Sequence, residues 1–266
     1  MGLDAFVRCS CWQDGRTTTP PVPAHLIVED GEGYLTLSVS YEGHEDQYHR
    51  FDGWIHSGAC PHKRMESASE RIANWSGYRL FQSALDAVGA ADFPTLSAEL
   101  PNANGGLLQP TSAAAALIEV AAFRAQTVVS TETVLVDAAT GETLITGVPA
   151  YNGIFIWDGR TKHNFAVDAA GLAIIDTARE SEIFRALNFT QQRSWRGGYR
   201  FTDLDTGRAT RVPVHDPINP NNSPKYPHRM RVDTRPVGAD RFDYIIEPLT
   251  KVLQAAVDTG NPVVWC

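Results

Sequence analysis

The sequence predicts an α+β fold of largely antiparallel sheets with helices packed on one side. Three observations lead to this prediction. Turn signals such as Asp30-Gly31 separate short alternating runs, a pattern typical of hairpins and not of a doubly wound parallel sheet. Residues 112–126 are rich in alanine, which has the highest helix propensity. The residue composition changes near residue 126. We therefore expect an N-terminal α/β lobe with the Cys/His cluster at 1–126, and a hairpin-rich antiparallel β lobe with a C-terminal helix at 127–266.

In the first lobe, alternation predicts a strand over residues 5–12. Positions 5, 7, 9 and 11 would share one face, which would put both thiols of Cys9 and Cys11 on the same side. Helical character begins near Glu45, where apolar residues recur at helical spacing. The remaining predicted elements are strands at 25–29 and 34–40 and helices at 66–75, 78–88 and 112–126.

In the second lobe, β-branched residues and turn signals predict a series of strands and two helices. Strands are predicted at 127–136, 143–148, 152–157, 163–167, 172–176, 199–204, 208–214 and 241–247, and a helix at 179–187. Residues 216–227 are rich in proline and asparagine and predict a long loop. Pro248 suits the first position of a final helix, because proline lacks the amide hydrogen that this position leaves unused.

Composition limits the classes of function. The chain has 266 residues and a net charge of −8, which argues against nucleic acid as the main partner because phosphate binding needs clustered Lys and Arg. No apolar stretch approaches the roughly 20 residues of a membrane span. The N-terminus lacks the cationic and apolar regions of a signal peptide. We therefore expect a cytoplasmic protein without a membrane partner, in which cysteines stay reduced.

A set of thiols and imidazoles in the first quarter of the chain predicts a metal site. Cys9-x-Cys11 is followed by His56-x-x-x-Cys60-x-His62. Zinc takes four such ligands in a tetrahedron, and Cys9, Cys11, Cys60 and His62 would complete one, with His56 as a substitute for His62. Four protein ligands would make the ion structural. The alternative interpretation is that the cysteines are core thiols and the histidines are surface imidazoles.

Other candidate sites are less specific. Cys60 lies between two histidines, but catalytic Cys/His pairs are usually joined by the fold and not by closeness in sequence. Known hydrolase and nucleotide-binding motifs do not occur, so we predict no catalytic residue. A second cluster, Trp195, Arg196, Tyr199 and Arg200, has the composition of binding hot spots and is the candidate partner surface. Its alternative is ordinary cross-strand packing.

Four segments carry a resemblance to a known group. They are the opening Met1-Gly-Leu-Asp4 with its Cys-x-Cys, then Ala59-Cys-Pro-His62, Asn74-Trp-Ser-Gly77 and Leu100-Pro-Asn-Ala-Asn-Gly-Gly106. In these segments the chain resembles a loose group of uncharacterised bacterial cytosolic proteins, some of which look like immunity proteins of polymorphic toxin systems. The resemblance covers residues 1–125. It implies an N-terminal α/β module with a Cys/His site and supplies no catalytic residues.

Together these observations predict a non-enzymatic protein-binding protein, an immunity protein that neutralises a bacterial toxin by covering its active site. An acidic inhibitor gains association rate against a basic target. The first alternative is a metal-dependent hydrolase that uses His56, Cys60 and His62. A second alternative is a structural component of a larger assembly.

Overall fold

The structure is a computed structural model that describes residues 2–31, 33–146, 162–219 and 225–266, and the backbone of Ile154–Phe155. The chain forms two compact units, Met1–Val129 with Gly238–Cys266, and Ser130–Val237. The first boundary lies close to the predicted one at residue 126. The C-terminal helix differs from the prediction: it belongs to the first unit, because it packs against a helix and strands of that unit.

The α+β class is confirmed, and every strand pair in the described part of the chain is antiparallel. In chain order the strands are β1 (Gly2–Arg8), β2 (Ile27–Glu29), β3 (Leu35–Leu37), β4 (Glu66–Asn74), β5 (Leu107–Leu108), β6 (Ser130–Asp137), β7 (Thr143–Thr146), β8 (Ile154–Phe155), β9 (His163–Asp168), β10 (Gly171–Asp176), β11 (Ser181–Ala186), β12 (Asn188–Arg193), β13 (Tyr199–Asp203), β14 (Ala209–Val212), β15 (Arg229–Val237) and β16 (Val263–Trp265). The α-helices are α1 (Glu45–Gly53), α2 (Trp75–Gly89), α3 (Pro94–Glu99), α4 (Pro110–Arg124) and α5 (Asp243–Thr259).

The first unit is built on a four-stranded sheet in the order β4-β1-β16-β5. β1 is an inner strand of mostly apolar residues, so its side chains are buried along most of its length. Its pairing with β4 runs from Gly2 opposite Asn74 to Arg8 opposite Glu66. The residues that follow Arg8 and those that precede Glu66 therefore leave the sheet at the same end.

Helices α2, α4 and α5 complete the main core of the first unit. α5 contacts β4, β1 and α4, and its apolar residues recur at the spacing of one helix face. α2 begins after Asn74, whose side chain accepts a hydrogen bond from the backbone N–H of Gly77 as an N-cap. Phe123 of α4 meets the rings of Phe81 and Phe93 edge-on. No helix in the described part of the chain is long and apolar enough to cross a membrane.

A smaller satellite core lies between β1 and β4 in the chain. It joins the two-stranded β2–β3 sheet, helix α1 and a π-helical turn at Trp54–Gly58. Its buried members are Cys9, Cys11, Val22, Ile27, Leu37, Phe51, Trp54, Ala59 and Met65. Because its strands have three residues each and its helix nine, this segment has little regular structure of its own to hold it.

The second unit contains a six-stranded sheet, β14-β13-β12-β15-β6-β7, and a four-stranded sheet, β11-β10-β9-β8. Alternate residues of both sheets point into one core, where Phe165, Phe184, Phe189 and Phe201 contact one another. The buried amide of Gln191 bonds the backbone N–H of Ile218 and its carbonyl, which fixes the chain that follows β14.

Three predicted elements are wrong. Residues 66–75, predicted as a helix, form strand β4, because pairing with β1 outweighs the helix propensity of Glu, Ala and Arg. Residues 179–187, predicted as a helix, contain strand β11, which pairs with β10. Residues 241–247, predicted as a strand, lie in a 3-10 turn and α5, where apolar side chains follow a helical period. Pro248 consequently stands inside α5 and not at its first position.

The remaining predictions are closer to the structure. The predicted strands 25–29, 34–40, 127–136, 143–148, 163–167, 172–176, 199–204 and 208–214 and the helices 78–88 and 112–126 each overlap an observed element of the same type. The strand predicted at 5–12 ends at Arg8. Of the strand predicted at 152–157, only Ile154–Phe155 lies among the described residues. In the predicted loop 216–227, residues 216–219 and 225–227 form no helix or strand, and 220–224 lie outside the described residues.

Candidate metal site

Four of the predicted ligands lie close together. Cys9 and Cys11 follow the end of β1, while Cys60 and His62 precede the start of β4. Since Arg8 pairs with Glu66, the sheet itself brings the two segments to one place. The four ligand atoms, three sulfurs and one imidazole nitrogen, all lie within 4.8 Å of one another. In the described part of the chain this is the one such group of His, Cys, Asp or Glu with a geometry that could hold a metal.

The two cysteines converge through a turn and not through strand alternation, which corrects the prediction. The chain leaves β1 after Arg8 and folds into a tight turn, in which the amide of Asp14 donates to the carbonyl of Ser10 and that of Arg16 to Cys11. The strand therefore ends before either thiol, and the turn places both on the inner side. Asn261 donates its side-chain N–H to the Arg8 carbonyl and so ties this turn to the C-terminal segment.

The other ligand pair is shaped by an unusual backbone. Arg64 and Met65 both adopt left-handed conformations, with φ of 58° and 57°, although neither is glycine. Such residues cost about 1–3 kcal/mol each and persist where surrounding structure holds them. Here Met65 is buried in the satellite core, and its carbonyl accepts the amide of Cys9 at 2.7 Å. This bend turns Cys60 and His62 toward the Cys9 turn.

Three of the distances between ligand atoms match those of a tetrahedral zinc site. Zinc–sulfur bonds of about 2.3 Å and zinc–nitrogen bonds of about 2.0–2.1 Å place two sulfurs about 3.8 Å apart, and a sulfur and a nitrogen about 3.5 Å apart. The sulfurs of Cys9 and Cys60 are 3.7 Å apart. Nδ1 of His62 lies 3.4 Å from the sulfur of Cys11 and 3.7 Å from that of Cys60.

Burial divides the group into an inner and an outer half. Cys9 and Cys11 are 1% and 3% exposed, whereas Cys60 is half-buried and His62 is exposed. Burial raises the pKa of the Cys9 thiol to about 12, because the thiolate would lose its water, and neighbouring thiols add to the rise. A bound divalent cation reverses this effect, since it stabilises the thiolate directly.

Arg16 supplies a positive charge beside the sulfurs. Three thiolates and one neutral imidazole around a divalent ion leave a net charge of −1. The Arg16 guanidinium bonds to Asp14 and Ser10, and its pKa is raised first by Asp14 and then by Cys11 and Cys9. Neither Arg16 nor the left-handed bend at residues 64–65 was found from the sequence. The only signal for Arg16 was its closeness in the chain to Cys11.

The substitute ligand His56 lies outside the group. Its side chain is exposed on the π-helical turn, and its Nδ1 lies 3.1 Å from the carbonyl oxygen of Asp52, one turn earlier. The fourth cysteine, Cys266, is also outside the group. The alternative interpretation of core thiols holds in part, because Cys9 and Cys11 do belong to the satellite core.

Hydrogen bonds beyond the ligands hold the outer half in place. The indole N–H of Trp54 donates to Thr18, and the Thr18 hydroxyl donates to the carbonyl of Gly58. The amide of Thr18 donates to the carbonyl of Ala59, next to Cys60. Trp12 packs edge-on against Trp54 with ring centroids 6.0 Å apart. These contacts orient the ligand segments without involving the ligand atoms themselves.

The second candidate surface is only partly as predicted. Trp195 and Arg196 lie exposed in the turn between β12 and β13, and Arg200 is exposed on β13. Tyr199 is 5% exposed, because its ring packs into the second unit's core and meets Tyr226 edge-on, so it does not line a surface. Burial is also the main reason that the pKa of the Tyr199 hydroxyl is raised.

Comparison of the chain with protein-family models, with curated proteins and with solved structures gives no match.

Proposed function

We propose that this chain is a non-enzymatic protein-binding protein whose first unit is clamped by a structural zinc ion. The observation that carries the zinc assignment is the group of three sulfurs and one imidazole nitrogen within 4.8 Å of one another, with three of the pairs at tetrahedral spacing. Cys9, Cys11, Cys60 and Nδ1 of His62 would be the four ligands. The proposal places the chain in a reducing compartment such as the cytoplasm, where thiols stay free.

The donor set favours zinc over other cations. Thiolates are soft ligands that calcium and magnesium do not select, and a group of three sulfurs with one nitrogen is typical of structural zinc. The position of the group supports a structural role as well. Its cysteines belong to or pack against the satellite core, whose short strands and one short helix provide few stabilising interactions of their own. Small cores of this kind are often stabilised by a metal.

The same count of ligands favours a binding protein over the metal-dependent hydrolase. A catalytic zinc keeps one position for water, whereas four protein ligands complete the tetrahedron. His56, which the hydrolase hypothesis uses, lies outside the group, and the group includes no carboxylate to serve as a general base. The exposed Trp195 and Arg196 support binding of a protein partner. A bacterial toxin, implied by the resemblance, remains our proposal for that partner.

Metal analysis of protein purified without chelators or a polyhistidine tag tests the proposal. We expect about one zinc per chain, lost in the Cys9→Ser and Cys60→Ser variants and kept in Cys266→Ser, the matched control outside the group. X-ray absorption should then give three sulfur neighbours and one nitrogen neighbour. Zinc absent from the wild type, or retained in both ligand variants, would contradict the assignment. A bound water in place of His62 would favour the hydrolase.

A further inference from the structure

The turn between β12 and β13 is a rigid platform. The amide of Ser194 donates to the carbonyl of Gly198 at 2.9 Å, and Gly197 donates back to Ser194. Gly197 and Gly198 have φ of 81° and 73°, which favour glycine. A Cβ on Gly198 would stand 2.2 Å from the carbonyl oxygen of Val212, so no other residue fits there without movement. A fixed turn lowers the entropy that a partner must overcome on binding.

This platform presents a tryptophan to solvent. Trp195 is 87% exposed, more than any other large apolar residue in the described part of the chain. The guanidinium carbon of Arg196 lies 4.5 Å from the centre of the indole ring. A cation–π contact of this kind holds the ring in one orientation and leaves its other face uncovered.

Positive charge is concentrated around the same turn. Arg196, Arg200 and Arg211 are exposed, and none forms an ion pair with any described residue. Arg193 is exposed too, but it stands opposite the buried Tyr199 and therefore lies on the other face of the hairpin from Arg200 and Arg211. Arg200 stands directly opposite Arg211 in the register of β13 and β14. Like charges directly opposite each other destabilise a sheet, so this pairing is a cost to folding. Arg211 also donates to the carbonyls of Arg196 and Gly197, which holds its charge beneath the turn.

We propose that this turn, with Trp195, Arg196, Arg200 and Arg211, docks onto an acidic face of a partner protein. The indole would enter an apolar depression, and carboxylates at its rim would neutralise the arginines. Trp and Arg are the residues most enriched at binding hot spots. Charge complementarity at the turn supports an acidic surface on the partner, because the exposed side chains there are basic; this local charge replaces the basic target that the net charge of −8 led us to expect. The inference rests on the proposed protein-binding function and names the chemistry of the partner.

A protein fits these observations better than a nucleic acid. A nucleic acid extends its phosphates over a long path and needs Lys and Arg along that path. Here the arginines are confined to one turn and the adjacent strand ends, in a chain whose remaining charge is strongly negative. A carboxylate cluster on a folded partner is compact enough to contact the arginines at this turn without further basic residues elsewhere on the chain.

Fluorescence anisotropy with the full chain tests the inference. The probes are labelled peptides of Glu and Asp with interspersed Leu, a matched Lys-rich peptide, and a single-stranded oligonucleotide. We expect the acidic peptides to bind, with an affinity that falls as salt increases. Trp195→Ala and Arg200→Gln should each weaken binding about tenfold. Ile118→Ala, another exposed apolar residue, and Arg208→Gln, at the opposite end of β13, are the matched controls and should bind as the wild type does.

Each other result overturns the inference. Failure of every acidic peptide to bind would exclude the proposed partner chemistry, and equal losses in test and control variants would exclude the site. Tighter binding of the oligonucleotide would make nucleic acid the occupant. Self-association that Trp195→Ala abolishes would identify the partner at this turn as a second copy of the chain. The test does not involve zinc, so a failed metal assignment and a failed docking surface are distinguishable.

Discussion

Zinc should stabilise the first unit by an amount that follows from the topology of its site. Cys9 and Cys60 are 51 residues apart in the chain. In the folded unit the pairing of β1 with β4 has already brought them together, since Arg8 stands opposite Glu66. The unfolded chain must close that loop by itself before it can offer all four ligands. Zinc therefore binds the folded unit more tightly, and the ratio of the two affinities sets the stabilisation.

The cost of loop closure gives the magnitude. For a loop of 51 residues, the chain-entropy relation gives about 14 cal/mol/K, or about 4 kcal/mol at 25 °C. This corresponds to an affinity ratio of about a thousand. Saturating zinc should therefore raise the free energy of unfolding of the first unit by about 4 kcal/mol. With a urea m-value of about 2 kcal/mol/M, the unfolding midpoint should rise by about 2 M.

Urea denaturation in zinc and in chelator measures this shift. Trp12 and Trp54 contact each other beside the ligand segments and report on the site by fluorescence. Cys60→Ser should unfold at the same urea concentration with or without zinc. Cys266→Ser, which leaves the site intact, should keep the wild-type shift. A shift under about 1 kcal/mol in protein that binds one zinc would refute the loop argument, as would loss of the shift in Cys266→Ser.

Three further predictions concern other parts of the chain. Glu119→Gln should lower the free energy of unfolding by about 2–4 kcal/mol, because the buried carboxylate accepts hydrogen bonds from two backbone N–H groups at the start of α3. Thermal unfolding measures this loss beside the exposed control Glu99→Gln, and equal stability of the two variants would contradict the prediction. Burial raises the pKa of Cys9 from 9.0 to about 12, so the thiol ionises more readily in the unfolded chain and the metal-free protein should lose stability as pH rises through this range. The zinc-loaded protein should instead lose stability as pH falls, because protons displace the metal from its ligands. Urea midpoints measured across pH that show no such reversal would refute this prediction. Gly198→Ala should lower the free energy of unfolding by more than about 1 kcal/mol and weaken the binding of acidic peptides, because the new Cβ would clash with the carbonyl of Val212. Unchanged stability by calorimetry would show that the turn is not rigid.

Local patterns predicted much of the fold because many elements follow from neighbouring residues alone. Asp30-Gly31 marked the turn between β2 and β3, and the alanine-rich residues 112–126 became α4. The failures came where two signals compete within one segment. Residues 66–74 combine helix-forming residues with a period-two burial pattern, and the partner strand β1 decided between them. In residues 241–247 the β-branched and aromatic residues suggested a strand, but their helical spacing prevailed in α5.

By itself, the sequence determined which side chains are able to hold a metal. The thiols and the imidazole are soft donors wherever the chain places them, and their chemistry is local. Only the tertiary structure decided that Cys9, Cys11, Cys60 and His62 meet while His56 does not. That choice depends on the register of β1 with β4 and on the left-handed bend at Arg64 and Met65, which residues distant in the chain hold in place. The convergence of the four ligands is therefore a property of the packed sheet, because a contact between residues 51 positions apart leaves no local signal in the sequence.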